Sequence, residues 1–189
     1  MVNKILSKIY ELHLKFNKNV TTKGKLIING RPIVIVTNGS TLNLGRNVKL
    51  NSSNEKYHIN MHSAVKLYAD RVGAKIVIKD NTRIHGTCLH AYQYIEVGSN
   101  CLIAANCQIF DGDGHDVYLE YPIKRINTSG GTNPVIIGDN CWIGANCIIM
   151  PGVQLGDNCV VSAGSIVRGS FNENSLIAGN PAKCIEKLK

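Results

Sequence analysis

Cut into sixes, residues 137–166 read IGDNCW IGANCI IMPGVQ LGDNCV VSAGSI, and this stretch decides the fold. Each unit opens on Ile, Leu or Val, usually continues with a small residue, and usually carries another small residue at its fifth place. Two more units stand at 97–108, VGSNCL and IAANCQ, and looser copies begin at Leu44 (LGRNVK) and Ile78 (IKDNTR). Self-similarity at a fixed period marks a solenoid. A short strand is followed by a tight corner, where Gly, Asn and Asp tolerate the backbone angles. Asn47, Asn100, Asn106, Asn140, Asn146 and Asn158 all fall at that corner position. The leading aliphatic residue points inward and stacks on its equivalent one coil later. Three faces close a triangular coil of roughly 18 residues, so the expected fold class is an all-β solenoid, a parallel β-helix of hexapeptide repeats.

The rest of the composition agrees. The chain has 189 residues, 44% apolar and 18% charged, enough for one sizeable core. Aromatics are only 6% and glycines number 18, which favours short strands and turns over a helical bundle. No apolar run approaches the roughly 20 residues that span a bilayer, and no signal peptide with its cleavage site is visible, so a cytoplasmic location is expected. A net charge of +8 suits an anionic small molecule. Nucleic acid is not expected as a partner, because no zinc-finger spacing and no basic strand with interleaved aromatics occurs.

Seven cysteines in a presumed cytosolic chain argue against disulfides. Cys88, Cys101, Cys107, Cys141, Cys147 and Cys159 take the small inward slot of a hexad and read as small buried hydrophobes rather than a metal site or nucleophile. Cys184 lies outside the repeat.

Three segments are expected: an N-terminal amphipathic helix over 1–19, a β-helix domain over 20–170 with an excursion loop at 110–134, and a C-terminal turn and short helix over 171–189. In the first, Ile5, Ile9, Leu12 and Phe16 share one helical face. That face either meets a membrane surface or packs on the coil end or a neighbouring subunit, and the packing reading is preferred. The excursion is too polar and Gly-rich to be coil, and an insertion of this length in a solenoid is usually functional.

Asp113-Gly114-His115 in the excursion, NCWIGANCIIMPGVQLGDNCVVSAGSIV at 140–167 and the closing Ala178-Gly179-Asn180-Pro181-Ala182-Lys183 resemble the hexapeptide-repeat acetyltransferases, the group of maltose, galactoside and xenobiotic acetyltransferases. NMHSAVKL, TRIHGTCLHAY and IFDGDGHD are most similar to sugar O-acetyltransferases of surface-polysaccharide clusters. The resemblance implies a left-handed coil, against the usual crossover rule. It also implies acetyl-CoA as donor, a saccharide acceptor, and a homotrimer with sites at subunit interfaces. No metal is needed for the chemistry. An inner-membrane-face location remains open through the N-terminal helix.

O-acetyl transfer needs a base for the acceptor hydroxyl and a donor for the thioester oxyanion. A histidine suits the first task, and the resemblance makes His115 that base, acting directly without an acyl-enzyme. Gly112 and Gly114 let its loop turn, and Asp111, Asp113 or Asp116 could orient the ring. The resemblance maps the oxyanion donor to the backbone N–H of Ala145 and a pocket wall to Trp142. It maps coenzyme A contacts to Ala163, Gly164 and Lys183. Arg168-Gly169 replaces the commoner Thr-Lys pair, with Arg168 still able to meet a phosphate. His85, Asn106 and Trp142 are expected at the acceptor, and Lys124 and Arg125 of the excursion suit an acidic saccharide.

Two rivals stand beside this. Gamma-type carbonic anhydrases share the β-helix and bind zinc through three histidines, for which His85, His90 and His115 are the candidates. A non-catalytic scaffold on the same fold is the other.

Overall fold

The computed structural model describes residues 2–117 and 120–188; residues 118 and 119 of the expected excursion, and 1 and 189 of the expected terminal segments, lie outside the described residues. The hexads fold as their period predicts. Successive coils lay one strand on each of three sheets, here called faces A, B and C, of seven, eight and six strands among the described residues. Every pairing between coils is parallel, and the coil is the left-handed β-helix of its class.

The inward columns follow the aliphatic positions. Leu42, Ile76, Ile95 and Val135 stack behind face A. Leu50, Ile84, Ile103, Ile143, Val161 and Ile177 stack behind face B. Leu67, Leu89, Ile109, Ile149 and Val167 stack behind face C. All are buried, each stabilising the coil by about 1.5–3 kcal/mol.

The asparagines divide between two corners, not one. At the A–B corner, Asn47, Asn81, Asn100, Asn140, Asn158 and Asn174 all have φ near +60°. Their side chains form a ladder, each amide NH2 donating to the next Oδ1 at 2.9–3.2 Å. Asn106 and Asn146 belong instead to the B–C corner, between strands Leu102–Ile103 and Gln108–Phe110 and between Trp142–Ile143 and Ile148–Ile149. Six-residue periodicity is blind to which corner it counts.

Cysteines line the corners from within. Cys101, Cys141 and Cys159 form one buried column and Cys107 and Cys147 another. Each thiol faces a carbonyl of the next coil, as from Cys101 to Gly138 at 3.1 Å and from Cys107 to Gly144 at 3.1 Å. The columns begin with threonines that do the same work: Thr82 donates to Gly98 O at 2.6 Å and Thr87 to Ala104 O at 2.7 Å. Cys88 departs from the expectation. It pairs in register with Gln108, an outward position, because Thr87 already fills the inward slot.

The N-terminal helix, Val2–Phe16, caps the first coil with Leu14, which is buried, and Tyr10. The stripe expected to pack on the coil end or a neighbouring subunit does not meet the coil of its own chain: Ile5, Ile9, Leu12 and Phe16 face away, with Phe16 85% exposed. The opposite end also differs. In place of a short helix, Ala182–Lys187 is a strand running antiparallel to Ser175–Gly179, so it covers the edge face B would otherwise leave open.

Candidate functional site

Two insertions leave the coil. The first, expected from sequence, runs from strand Gln108–Phe110 of face C to Val135–Ile137 of face A, and so occupies the C–A corner. Its base is locked by Asp111. This buried carboxylate accepts the backbone N–H groups of Tyr92 at 2.7 Å, Gln93 at 2.8 Å and Tyr94 at 2.5 Å. The Tyr92 ring lies against Gly112, where a Cβ would come within 2.2 Å of it. Arg71 stacks on Tyr92 at 4.0 Å and donates to Ser129 O, and Thr132 donates to Gln93 at 2.9 Å.

On this base His115 is exposed, with Nδ1 2.9 Å from the carbonyl oxygen of Arg125. A carbonyl only accepts, so Nδ1 carries the hydrogen and Nε2 keeps its lone pair. The carbonyl is held by the 3-10 turn Pro122–Asn127 and by Thr128, whose N–H and Oγ1 both donate to it, at 3.1 and 2.9 Å. Thr128 Oγ1 in turn accepts the Asp116 N–H at 2.7 Å. Among the described residues no aspartate side chain is bonded to the His115 ring: Asp111 is spent on the turn at 92–94, and the Arg125 carbonyl holds the ring. Asp113 is exposed, its N–H bonded to Gly131 O. Lys124 lies over the Tyr121 ring at 4.5 Å.

The second insertion, residues 52–65, was not anticipated. It leaves face B after strand Val48–Asn51 and returns to face C at Lys66–Ala69, so it lies at the B–C corner. Its signal was only the missing hexad between Asn51 and Lys66. The Asn106 amide clamps it, Oδ1 accepting from His62 N at 2.9 Å and Nδ2 donating to Asn60 O at 3.0 Å. Asn106 thus positions a loop, using one lone pair of Oδ1 and one hydrogen of Nδ2.

The B–C corner then offers something the A–B corner does not. At A–B, the outward N–H groups of Arg46, Ser99 and Asp139 are taken by the carboxylates of Asp80, Asp139 and Asp157 at 2.7–2.8 Å. At the equivalent B–C places stand Ala105, Ala145 and Ala163, with no acidic side chain. Tyr57 of the second insertion lies near the Ala105 backbone. The N–H groups of Ala145 and Ala163 have no protein partner among the described residues. They lie one and two coils beyond Ala105, Ala145 half-buried and Ala163 exposed beside Gly164. Trp142, 54% exposed, stands on face B beside Ala145, between Leu102 and Val160 in register. Arg168 and Lys183 are exposed near the C-terminal end of the coil.

His85 lies on face B, two strands below that of Trp142 and two residues past Arg83, the position in register with Trp142. It stacks on Tyr57 with centroids 4.7 Å apart, and its Nδ1 is 3.2 Å from Asn51 Nδ2. Burial first, then Lys49, Arg83 and His58, hold its pKa down to about 4, so it is neutral at physiological pH. Ser53 fixes the Asn51 amide, accepting from Nδ2 and donating to Oδ1. His85 Nδ1 is therefore an acceptor, and its Nε2–H is a donor. His90 is elsewhere, on face C, stacked on Tyr68 at 4.5 Å and paired with Asp70 at 3.3 Å. The three histidines of the zinc reading occupy face B, face C and the excursion, and among the described residues of this one chain they do not form one ligand set.

Against this geometry the comparisons agree with one another. A family profile described as "Hexapeptide repeat of succinyl-transferase" matches residues 134–168. WbbJ of Escherichia coli (strain K12), whose name assigns it to lipopolysaccharide biosynthesis O-acetyl transfer, is 31% identical over 135 residues, covering 68% of this chain and 69% of WbbJ. The galactoside O-acetyltransferase of Escherichia coli (strain K12) is 39% identical over 94 residues, covering 50% of this chain and 44% of that protein. Among solved structures, the hexapeptide-repeat acetyltransferase VCA0836 of Vibrio cholerae, complexed with acetyl-CoA, matches with a TM-score of 0.61 and 26% identity, over 80% of this chain and 72% of that one. The chain belongs to the hexapeptide-repeat acetyltransferase family. Apart from WbbJ, its alignments to the first curated relatives span 44–58% of their length.

Proposed function

We propose that this chain transfers acetyl from acetyl-CoA to a hydroxyl of a sugar or surface polysaccharide, with His115 as general base. The observation that carries this is the bond from His115 Nδ1 to the Arg125 carbonyl, which leaves Nε2 as a lone pair on an exposed ring. Nε2 takes the proton of the acceptor hydroxyl as its oxygen bonds to the thioester carbon. The Ala145 N–H receives the developing oxyanion, a contribution of roughly a hundred- to thousandfold for one such donor. The C–S bond then breaks, and the imidazolium returns its proton to the departing thiolate. No covalent bond to the enzyme is required. Ala163, Gly164, Arg168 and Lys183 lie farther along the coil, where a long phosphorylated cofactor has room to follow.

The active unit is a homotrimer in this reading. His115 stands on the C–A corner, and its loop is anchored by Arg71, Tyr92 and Gln93 at that same corner. Ala145 stands on the B–C corner, with face C between them. A base from one chain and an oxyanion donor from its neighbour resolve that separation. The outward apolar stripe of the N-terminal helix, flanked by Lys8 and Lys15 on one side and His13 on the other, supports a location against the inner membrane face.

The test is CoA release from acetyl-CoA with a panel of neutral, amino and acidic oligosaccharides, wild type against His115→Ala. Acceptor-dependent release that drops at least about a hundredfold in the variant, with acetyl-CoA still bound, is the expected result. A wild-type protein that binds no acetyl-CoA would overturn the reading.

A further inference from the structure

Face B carries a groove of about 700 Å³ between the N-terminal helix and the second insertion, with His85 and Tyr57 at its inner end. Four cations line it, Lys8 from the helix, Lys25, Lys49 and Lys56, against two carboxylates, Glu11 and Glu55. Glu11 is already paired, with Lys15 at 2.8 Å. Among the described residues none of the four lysines has an ion-pair partner. The positive charge continues upward, because Lys49 is in register with Arg83, and Arg83 with Leu102 and then Trp142. Burial is the main cause of the depressed pKa of His85, and the charges of Lys49, Arg83 and His58 add to it.

We infer that this groove is the acceptor subsite and that its occupant is an anionic saccharide, whose acidic group is held by Lys49 and Lys56 while His85 Nε2–H donates to an adjacent sugar oxygen. This rests on the acetyl-transfer reading and names its substrate class. Three features favour it. The groove opens on the face that carries Trp142. Tyr57, which lines it, lies near the Ala105 backbone at the B–C corner, one coil before the unpartnered N–H of Ala145. And a neutral histidine locked as a donor among lysines suits a carboxylated sugar, which is rich in acceptor oxygens, better than a cationic one. Acetyl transfer would then occur where the groove meets the B–C corner, about two strands from His85.

The experiment is saturation-transfer NMR and calorimetric titration on the full chain with CoA present, using trigalacturonic acid and an α2,8-linked sialic acid trimer as acidic probes and maltotriose as the neutral one. At low salt at least one acidic probe is expected to bind about tenfold or more tighter than maltotriose, with the advantage shrinking as salt rises. Lys49→Glu combined with Lys56→Glu should abolish that preference, and Lys49→Arg with Lys56→Arg should keep it. CoA affinity, measured on the same samples, should not move. Equal or tighter binding of maltotriose, no binding of either acid, or an acid preference that survives the double Glu variant each overturn the inference. Failure of the acetyl-transfer reading is seen separately, as absence of acetyl-CoA binding by the wild type.

Discussion

His115 Nδ1 lies 2.9 Å from the carbonyl oxygen of Arg125, ten residues farther along the same excursion. A backbone carbonyl in this place holds the ring without adding negative charge beside it, and it makes the loop itself the device that aims the imidazole. The carbonyl's position depends on Thr128, whose hydroxyl links it to the Asp116 N–H. Thr128→Val keeps the volume and removes both bonds. It should lower kcat about tenfold, an effect of about 1.4 kcal/mol, with the KM for acetyl-CoA unchanged. Equal loss in kcat and acetyl-CoA affinity would instead mean that the loop had collapsed.

Asp111 is a fold residue. Its carboxylate accepts three backbone N–H groups of the turn at 92–94, so Asp111→Ala leaves three donors without their acceptor. The expected loss is about 3 kcal/mol or more in urea unfolding, and Asp111→Asn, which keeps one acceptor oxygen, should lose less. Unchanged stability with lost activity would assign Asp111 to the chemistry after all.

The shared site has its own test. His115→Ala and Ala145→Pro each remove one half of the proposed machinery, the imidazole and the backbone N–H. If the halves come from different chains, mixing and re-forming the two inactive proteins should restore about a quarter of wild-type sites at equal mixing, by random assembly of symmetric trimers. Circular dichroism of Ala145→Pro establishes that it is folded before mixing. No recovery from two folded variants that do exchange subunits would place the whole site within one chain.

Protonation of His85 opposes the fold. Its folded pKa is about 4, against an ordinary value of 6.5, so between these pH values the unfolded chain binds a proton that the folded chain does not. The His85 contribution is fully present above about pH 6.5 and is lost progressively as pH falls toward 4. The melting temperature should therefore decline over that window, and His85→Gln should flatten part of the decline.

The outward stripe of the N-terminal helix predicts sedimentation with vesicles containing anionic lipid and less with neutral ones. Phe16→Glu with Ile9→Glu should abolish it and leave acetyl-CoA binding intact, since neither side chain reaches the core. If the variant instead changes the oligomeric state and never affected lipid binding, the stripe is a subunit contact.

Much of this was legible in the sequence because it depends on local period. Ile84, Ile103 and Ile143 had to face inward wherever the coil lay, since a hexad that buries one aliphatic residue buries its equivalents. The excursion at 110–134 was legible as a long polar break in that period, and the resemblance of its Asp-Gly-His stretch to the family marked His115. What only the tertiary structure decided is which corner each hexad occupies. Asn100 and Asn106 look alike in sequence, yet one joins an amide ladder and the other clamps a loop from the B–C corner. The phase of a three-sided coil depends on the length of every insertion before it, including the one at 52–65. For the same reason sequence could not show that Thr82 and Thr87 begin the cysteine columns, or that Asp80, Asp139 and Asp157 close the A–B corner while Ala145 and Ala163 leave the B–C corner open. The two ends are where a pattern met a boundary. The stripe of Ile9 and Phe16 is apolar whichever way it faces, and residues 182–187 become a strand because face B presents an edge for them to pair with.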